Sequence, residues 1–197
     1  MNAPRLTADA RRQQIIDVAI DEFGHAGYYG TSMNDIAEAA GVTKPVLYQH
    51  FDSKSDLFQA LIDEVGSRML DQITKATTDA ADGRERTERG FAAYFSWVAD
   101  HHQEFTLLFG GSARHEGEFN AQVRQITDDA AAAIAGLIDV DLEPEQRHTL
   151  AHGLVGLAEG VARRLVGLGE QFDAAEVAAI VSRLAWAGLR AVDRSPG

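Results

Sequence analysis

Residues 31–51 read TSMNDIAEAAGVTKPVLYQHF. Helix-forming residues on both sides of Gly41-Val42-Thr43 predict two short helices, over residues 32–40 and 44–50, joined by a tight turn. A three- or four-residue turn that often contains glycine joins the steeply crossed helices of a helix-turn-helix. The residues expected to face each other across the turn are Ile36, Ala37, Val42 and Leu47.

The second of these helices opens with Thr43, Lys44 and Pro45. Proline suits a first helical turn, because the N–H that it lacks has no helical partner there and its φ is already fixed near the helical value. Thr43 is then the N-cap. The first residues of a recognition helix meet base edges, where Thr and Pro contact a thymine methyl, Lys donates to guanine and Gln reads adenine. Thr43, Lys44, Pro45 and Gln49 are therefore candidate base contacts.

A polar turn between any two packed helices would look similar, so the surrounding sequence decides the interpretation. The pattern F-x-x-x-G-Y occupies residues 23–28. It is followed by Thr31-Ser32, Ile36-Ala37, Ala40-Gly41-Val42, Leu47-Tyr48, His50-Phe51 and Ser53-Lys54-x-x-Leu57. Over these positions, about a quarter of the chain, the sequence resembles the DNA-binding domain of the TetR family of bacterial regulators.

The resemblance implies specific roles at the DNA surface. Thr31 or Ser32, Tyr48, His50 and Lys54 would hold phosphates, while Thr43, Lys44, Pro45 and Gln49 would face bases. Tyrosine and histidine side chains and helix N-termini donate hydrogen bonds to phosphate without requiring a basic protein. Arg11 and Arg12 would add positive charge from the first helix.

Apolar residues recur at helical spacing along the whole chain. A first helix is predicted to end near Gly24 and Gly27. A long fourth helix is predicted to begin at Ser53, which forms a capping box with Asp56, and Gly83 ends or follows it. Further helices are predicted over residues 84–101, 102–109, 116–138, 144–168 and 173–192. No segment alternates as a strand would, so the predicted fold class is all-α.

The three short N-terminal helices have little core of their own and must dock on the long helix. We therefore predict a three-helix, helix-turn-helix DNA-binding domain at residues 8–54 and a helical ligand-binding and dimerisation domain at residues 55–193. In the TetR family the central region lines a ligand chamber, although core packing would explain each aromatic residue there by itself. The candidate ligand-binding residues are Phe91, Tyr94, Phe95, Trp97, His102, Phe105, Phe109, Arg114, Phe119 and Asn120.

Two further stretches bear on the effector and on assembly. Residues 103–111 and 153–166 resemble those of actinobacterial TetR-family members that sense long-chain acyl groups or acyl-CoA. Gly153, Gly156 and Gly160 each cost a helix roughly 1 kcal/mol against alanine, which indicates close approach to another backbone. Intramolecular packing is one explanation, and the resemblance implies the other, a four-helix homodimer interface made by the two C-terminal helices.

Charge and composition limit the remaining functions. The net charge of −12 is uneven, since residues 1–55 contribute −2 and residues 56–197 contribute −10. A local donor-rich face can therefore bind DNA while the acidic remainder opposes indiscriminate binding. The absence of cysteine excludes disulfides and thiolate sites. No uncharged run approaches the roughly 17 residues that span a bilayer, and we expect a cytoplasmic protein without a membrane partner.

We expect neither a cofactor nor catalysis. His101 and His102 are adjacent in a helix and point about 100° apart, which disfavours a shared metal ion. No catalytic motif is apparent. The expected function is a ligand-responsive repressor, released from a palindromic operator by a small apolar or amphipathic effector. The alternatives are a lipid- or acyl-CoA-responsive activator and a constitutive DNA-binding protein without an effector.

Overall fold

The computed structural model describes residues 6–110, 119–138, 140–169 and 171–193. These ranges contain nine α-helices and no strand, which confirms the all-α prediction. The helices are α1 (Ala8–Gly30), α2 (Met33–Ala39), α3 (Lys44–Tyr48), α4 (Lys54–Thr77), α5 (Gly83–Asp100), α6 (His102–Phe109), α7 (Asn120–Ala135), α8 (Pro144–Gly167) and α9 (Ala174–Asp193).

The predicted bounds of α5, α6, α8 and α9 agree with the structure to within one residue at each end. Gly83 was predicted to end or to follow α4, and the structure shows that it follows α4. This helix stops at Thr77, and Gly83 opens α5 behind Asp82, whose carboxylate accepts a hydrogen bond from the Glu85 N–H at 2.8 Å. The first residues predicted for α7 lie outside the described ranges, and the helix ends at Ala135, before Gly136.

The chain forms two compact units, and each unit contains two separate stretches of the sequence. The first contains the residues up to Val65 together with the segment Gln103–Gln122, and the second contains Gly66–His102 and the chain from Val123 onward. We call them the N-terminal unit and the C-terminal unit. The domain division predicted between residues 54 and 55 remains a prediction.

Glycine shapes α1 at two positions. At Gly27 the backbone adopts φ 72° and ψ 170°, which breaks the helix and turns the chain towards α2. Gly24 lies inside the helix, where a Cβ atom would come within 3.3 Å of the Gln103 Cβ. The absence of a side chain at Gly24 thus allows α6 to pack closely on α1.

Local signals define the helix-turn-helix. Ser32 forms a capping box with Asp35 at the start of α2. At its end, the Gly41 N–H donates to the Glu38 carbonyl and the Val42 N–H to the Ala37 carbonyl, with Gly41 at φ 64°. This pair of bonds is a Schellman motif, which ends α2 and directs the chain into α3.

The core of the N-terminal unit combines the apolar face of α1 with buried residues of α2, α3 and α4. Its aromatic cluster consists of Phe23, Tyr28, Phe58 and Phe119, with ring centroids of contacting pairs 4.7 to 5.9 Å apart. Edge-to-face packing dominates, and such pairs stabilise a core beyond their buried area. Phe119 comes from far along the chain and is fully buried in this cluster.

In the C-terminal unit, α9 packs along α5, and α8 packs against both. A small apolar cluster contains Ala131, Ala135, Ile138, Ala151 and Leu189. The segment of α4 in this unit crosses α7 closely, because a Cβ atom at Gly66 would lie 2.5 Å from Ile126 Cδ1 and 2.7 Å from its Cγ1. Only glycine fits at this crossing without displacement of Ile126.

The crossing yields a stability prediction. Alanine is favoured over glycine inside a helix by about 1 kcal/mol, whereas overpacking of a core costs about 1 to 3 kcal/mol. We expect Gly66→Ala to lower the free energy of unfolding by roughly 1 kcal/mol because overpacking outweighs helix propensity. The matched control is Gly90→Ala, whose new Cβ would meet Thr77 at an ordinary 3.5 Å and should stabilise the protein.

Urea unfolding of both variants provides the measurement. A double-mutant cycle with Ile126→Ala locates the clash, since Ile126→Ala should cost less in the Gly66→Ala background than in the wild type. Equal stabilisation by Gly66→Ala and Gly90→Ala would contradict the close crossing.

Candidate nucleic-acid interface

The first turn of α3 is exposed, and its interior side is anchored by Leu47, which is fully buried. Thr43 occupies the predicted N-cap position, where its carbonyl accepts bonds from the N–H groups of Val46 and Leu47. The Thr43 hydroxyl makes no capping bond to α3. Lys44, Pro45 and Gln49 are likewise exposed. The four predicted base contacts therefore lie at the surface, around the start of one short helix.

An open groove of about 400 Å³ lies beside this helix. It brings together the start of α2, the first turn of α3, the start of α4 and the end of α1. Its lining residues are Tyr29, Gly30, Thr31, Ser32, Met33, Asn34, Lys44, Tyr48 and Lys54. Five of the nine predicted DNA-binding residues thus share one concave surface.

Thr31 and Ser32 were predicted as alternative phosphate donors, and both hydroxyls are engaged within the fold. Thr31 is 3% exposed, and its hydroxyl bonds to the carbonyls of Glu22 and Gly27 at 3.1 and 2.9 Å. The Ser32 hydroxyl and backbone N–H both donate to the Asp35 carboxylate at 2.8 Å. A phosphate contact from either hydroxyl stays a prediction that requires these bonds to be exchanged.

The capping box also sets the charge at the start of α2. The Ser32 backbone N–H, followed by the Ser32 hydroxyl, holds the pKa of Asp35 below its ordinary value. The carboxylate therefore stays ionised at neutral pH and lies exposed next to the groove. An anion that approaches this end of α2 meets a negative charge, so the favourable donors of the groove lie on its other walls.

Lys54 is held more tightly than a surface lysine. Its ammonium group donates to the Tyr28 carbonyl at 2.8 Å and to the Thr31 carbonyl at 3.1 Å, and it lies 4.4 Å from the centroid of the Tyr28 ring. An ammonium group has three N–H donors, so one remains for the groove. The predicted phosphate ligand is thus also a link between α4 and the chain that leads into α2.

Tyr29 is the groove residue that the sequence reasoning missed. It is 79% exposed, whereas its neighbour Tyr28 is buried in the aromatic cluster. The recognised pattern ends at Tyr28, so it gave no role to the next residue. The available signal was the pair of adjacent tyrosines after the Gly27 break, since only one of the two side chains can enter the core.

The remaining predicted phosphate contacts lie near the end of α3. His50 is half-buried, and Tyr48 is exposed enough to line the groove. Arg12 covers the buried Phe51 ring, with its guanidinium carbon 4.9 Å from the ring centroid, and the Arg11 guanidinium donates to Gln14 at 2.7 Å. Both arginines therefore have partners within the unit in addition to any role towards DNA.

The candidate ligand-binding residues are divided between the two units. Phe91, Tyr94, Phe95, Trp97 and His102 belong to the C-terminal unit, where the first four line the buried face of α5. Phe105, Phe109, Phe119 and Asn120 belong to the N-terminal unit, and Arg114 lies outside the described residues. The ring centroids of Phe105 and Phe109 lie 5.2 Å apart, while Phe119 is part of the aromatic cluster.

The surface of α8 and α9 carries the features expected of a protein contact. No atom of the described residues, other than the helix backbone and chain neighbours, comes within 4 Å of a Cβ placed at Gly153, Gly156 or Gly160. The close approach that these glycines allow is therefore not used inside the described part of the chain. On α9, Ile180 and Leu184 are 53% and 63% exposed.

Among the described residues, no group of three histidine, aspartate or glutamate side chains is placed to hold a metal ion. None of the helices in the described ranges is both long and apolar enough to cross a membrane.

Comparison with known proteins gives the family. The family model for bacterial regulatory proteins of the tetR family matches residues 15–61, and the model for the tetracyclin repressor-like C-terminal domain matches residues 83–188. The HTH-type transcriptional activator FasR of Mycolicibacterium smegmatis is 32% identical over 187 residues, which cover 94% of this chain and 85% of FasR.

Solved structures share the fold. A TetR-like transcriptional regulator from Rhodococcus sp. RHA1 is 30% identical, with a TM-score of 0.76 over 94% of this chain and 99% of that one. FadR from Bacillus subtilis, solved in complex with stearoyl-CoA, has a TM-score of 0.75 at 18% identity, over 88% of this chain and 96% of that one. With matches to both halves of the family's architecture, this chain belongs to the tetR family of bacterial regulatory proteins and is a ligand-responsive, DNA-binding transcriptional regulator.

Proposed function

We propose that the chain acts as a homodimer in the cytoplasm, binds a palindromic operator through α3 and the adjoining groove, and is released by a long-chain acyl thioester. The observation that carries the DNA-binding part is the exposed start of α3, which lies beside a groove lined by tyrosine, lysine and serine side chains. The structural likeness to FadR with stearoyl-CoA supports the effector class. We assign no catalytic activity to the chain.

The side chains at the DNA face divide into two roles. Thr43, Lys44, Pro45 and Gln49 face bases, since the first turn of a recognition helix enters the major groove. Tyr29, Tyr48, His50 and the remaining N–H of Lys54 face phosphates. Tyrosine hydroxyls suit an acidic protein here, because they donate to phosphate without adding positive charge.

The unused apolar surface of α8 and α9 supports dimerisation through these helices. A two-fold dimer through these helices places two recognition helices one DNA turn apart, about 34 to 36 Å, or a multiple of it. Close packing at Gly156 and Gly160 would bring the α8 helices of two protomers together. We retain the division into a DNA-binding domain at residues 8–54 and a ligand-binding and dimerisation domain at residues 55–193.

The sense of regulation has two candidates. Release of a repressor by its effector is the first, in keeping with the tetracyclin repressor-like C-terminal domain. Activation is the second, and the likeness to the activator FasR over most of the chain favours it. In both cases the effector acts because it binds two conformations of the protein, one with high and one with low operator affinity, unequally. The coupling free energy between effector and operator is typically about 1 to 3 kcal/mol.

Operator binding in the presence of palmitoyl-CoA tests the function. We expect palmitoyl-CoA to lower operator affinity about fivefold to 150-fold, as such coupling free energies imply. Fluorescence anisotropy with a labelled operator selected from random DNA gives the measurement, and free coenzyme A is the control. A rise in affinity would support activation, and no change at saturating palmitoyl-CoA would refute this effector class.

Separate alanine substitutions of the two lysines in the groove distinguish contacts to bases from contacts to the DNA backbone. Lys44→Ala should lower affinity for the operator by about 1 to 3 kcal/mol and reduce the preference for operator over scrambled DNA. Lys54→Ala should weaken both DNAs by a similar factor and should also lower the melting temperature, because two carbonyls lose their donor.

Tyr29→Phe serves as the matched neutral variant. It should weaken operator and scrambled DNA about equally and leave the salt dependence unchanged, since no cation is removed. Anisotropy titrations at several salt concentrations, with melting curves for each protein, give all three comparisons. Changed sequence preference in Lys54→Ala, with none in Lys44→Ala, would invert these roles.

Assembly is tested on the exposed face of α9. Leu184→Glu should convert the dimer to a monomer at micromolar concentration, because a charge would be buried among apolar side chains. Ala92→Glu adds the same charge at an exposed position of α5 and is the control. Analytical ultracentrifugation gives the mass, and a Leu184→Glu protein that remains dimeric would place the interface elsewhere.

A further inference from the structure

The hydroxyl group of Tyr94 is buried in the C-terminal unit without a hydrogen-bond partner. Tyr94 is 8% exposed, its hydroxyl oxygen is inaccessible to water, and no donor or acceptor in the described ranges bonds to it. Buried polar groups in folded proteins are nearly always hydrogen-bonded, so an exception requires an explanation. A buried hydroxyl that stays unpaired costs stability, because its bonds to water are lost without replacement.

A charged pair on the neighbouring helix α8 influences this hydroxyl electrostatically. Glu159 on α8 is buried and accepts a hydrogen bond from the Arg163 guanidinium one turn later. Since α5 packs against α8, these charges act on Tyr94. Burial raises the pKa of Tyr94 well above its ordinary value, and the Glu159 carboxylate raises it further, while Arg163 opposes this effect. Tyr94 is therefore a neutral O–H donor, and the Glu159 carboxylate disfavours its ionisation further.

The surroundings are otherwise apolar and aromatic. The ring centroids of Tyr94 and Phe95 lie 5.3 Å apart, and the Phe95 ring stacks on that of Phe91 with a centroid distance of 6.3 Å. Small-molecule sites in proteins are mostly apolar, with a few polar groups that fix orientation. An incoming group that satisfies Tyr94 must supply an acceptor oxygen, and the carboxylate of Glu159 disfavours a negatively charged one.

We propose that Tyr94 is a specificity-determining residue, whose hydroxyl donates a hydrogen bond to the uncharged carbonyl oxygen of an acyl thioester, while Glu159 disfavours the carboxylate of a free fatty acid. The inference rests on the proposed effector class and adds the group that recognises it. Binding then provides the partner that the hydroxyl lacks in the ligand-free protein. The chain would thereby distinguish activated from free acyl groups by one hydrogen bond and one charge.

Tyr94→Phe with two matched compounds tests the hydrogen bond. Palmitoyl-CoA and S-hexadecyl-CoA carry chains with the same number of carbons on the sulfur atom. The first is a thioester, and the second is a thioether without the carbonyl. Isothermal titration should show that the wild type prefers palmitoyl-CoA about fivefold to tenfold, as one net hydrogen bond implies. Tyr94→Phe should remove this preference by weakening palmitoyl-CoA alone.

A melting curve of the ligand-free protein separates this role from a packing role. Tyr94→Phe should leave the melting temperature unchanged or raise it, because the lost hydroxyl had no partner. A lower melting temperature, or equal loss of affinity for both compounds, would overturn the inference in favour of core packing. Wild-type protein that binds both compounds equally would also overturn it but leave the effector class intact, whereas binding of neither would refute the effector class as well.

Glu159→Gln tests the part played by charge. This variant removes the negative charge and keeps the side-chain shape, so its affinity for palmitate should rise about fivefold or more relative to palmitoyl-CoA. An unchanged ratio of the two affinities would overturn the discrimination against carboxylates. Glu159→Asp keeps the charge and is the matched control for altered packing.

Discussion

The ammonium group of Lys54 fixes the place where α1, α2 and α4 meet. Gly27 breaks α1, so the carbonyls of Tyr28 and Thr31 lack the regular bonding of a helix interior, and Lys54 donates to both. The Thr31 hydroxyl bonds back across the break to the Gly27 carbonyl. The direction of the chain into α2 is therefore set by three hydrogen bonds. Because the Schellman turn joins α2 rigidly to α3, these bonds also orient the recognition helix.

The same lysine connects the DNA-facing surface to the interior of the N-terminal unit. Its ammonium group lies on the Tyr28 ring, which packs against Phe58 and Phe119. Phe119 falls within residues 83–188, which match the family's C-terminal domain, yet it is core to the N-terminal unit. A division of this chain by sequence similarity thus differs from its division by packing. A displacement of Phe119 would reach the groove through only two side chains, Tyr28 and Lys54.

Sequence reasoning succeeded where the signal is local. The turn glycine Gly41, the N-cap Thr43 and Pro45 in the first turn act within a few residues, and together they predicted the helix-turn-helix. It failed where the partners are distant in the chain. Neither the bond from Lys54 to Tyr28, 26 residues away, nor the burial of Phe119 has a periodic signature. The ligand-region residues were identified as buried aromatics, but their division between two units depends on contacts that spacing does not encode.

The number of available cations at the proposed DNA face limits the electrostatic contribution to DNA affinity. Each lysine or arginine that neutralises a phosphate releases counterions, and the slope of log affinity against log salt is about −0.9 per contact. Among the described residues, Lys54 is largely committed to backbone carbonyls and Arg12 to the Phe51 ring, so these two cations are less available to phosphates. In the proposed complex, Tyr29, Tyr48 and backbone N–H groups donate hydrogen bonds to phosphates without releasing counterions. A protein with a net charge of −12 therefore gains less from non-specific electrostatics, and in the proposed dimer the preference for an operator depends on the fit of α3 in two half-sites.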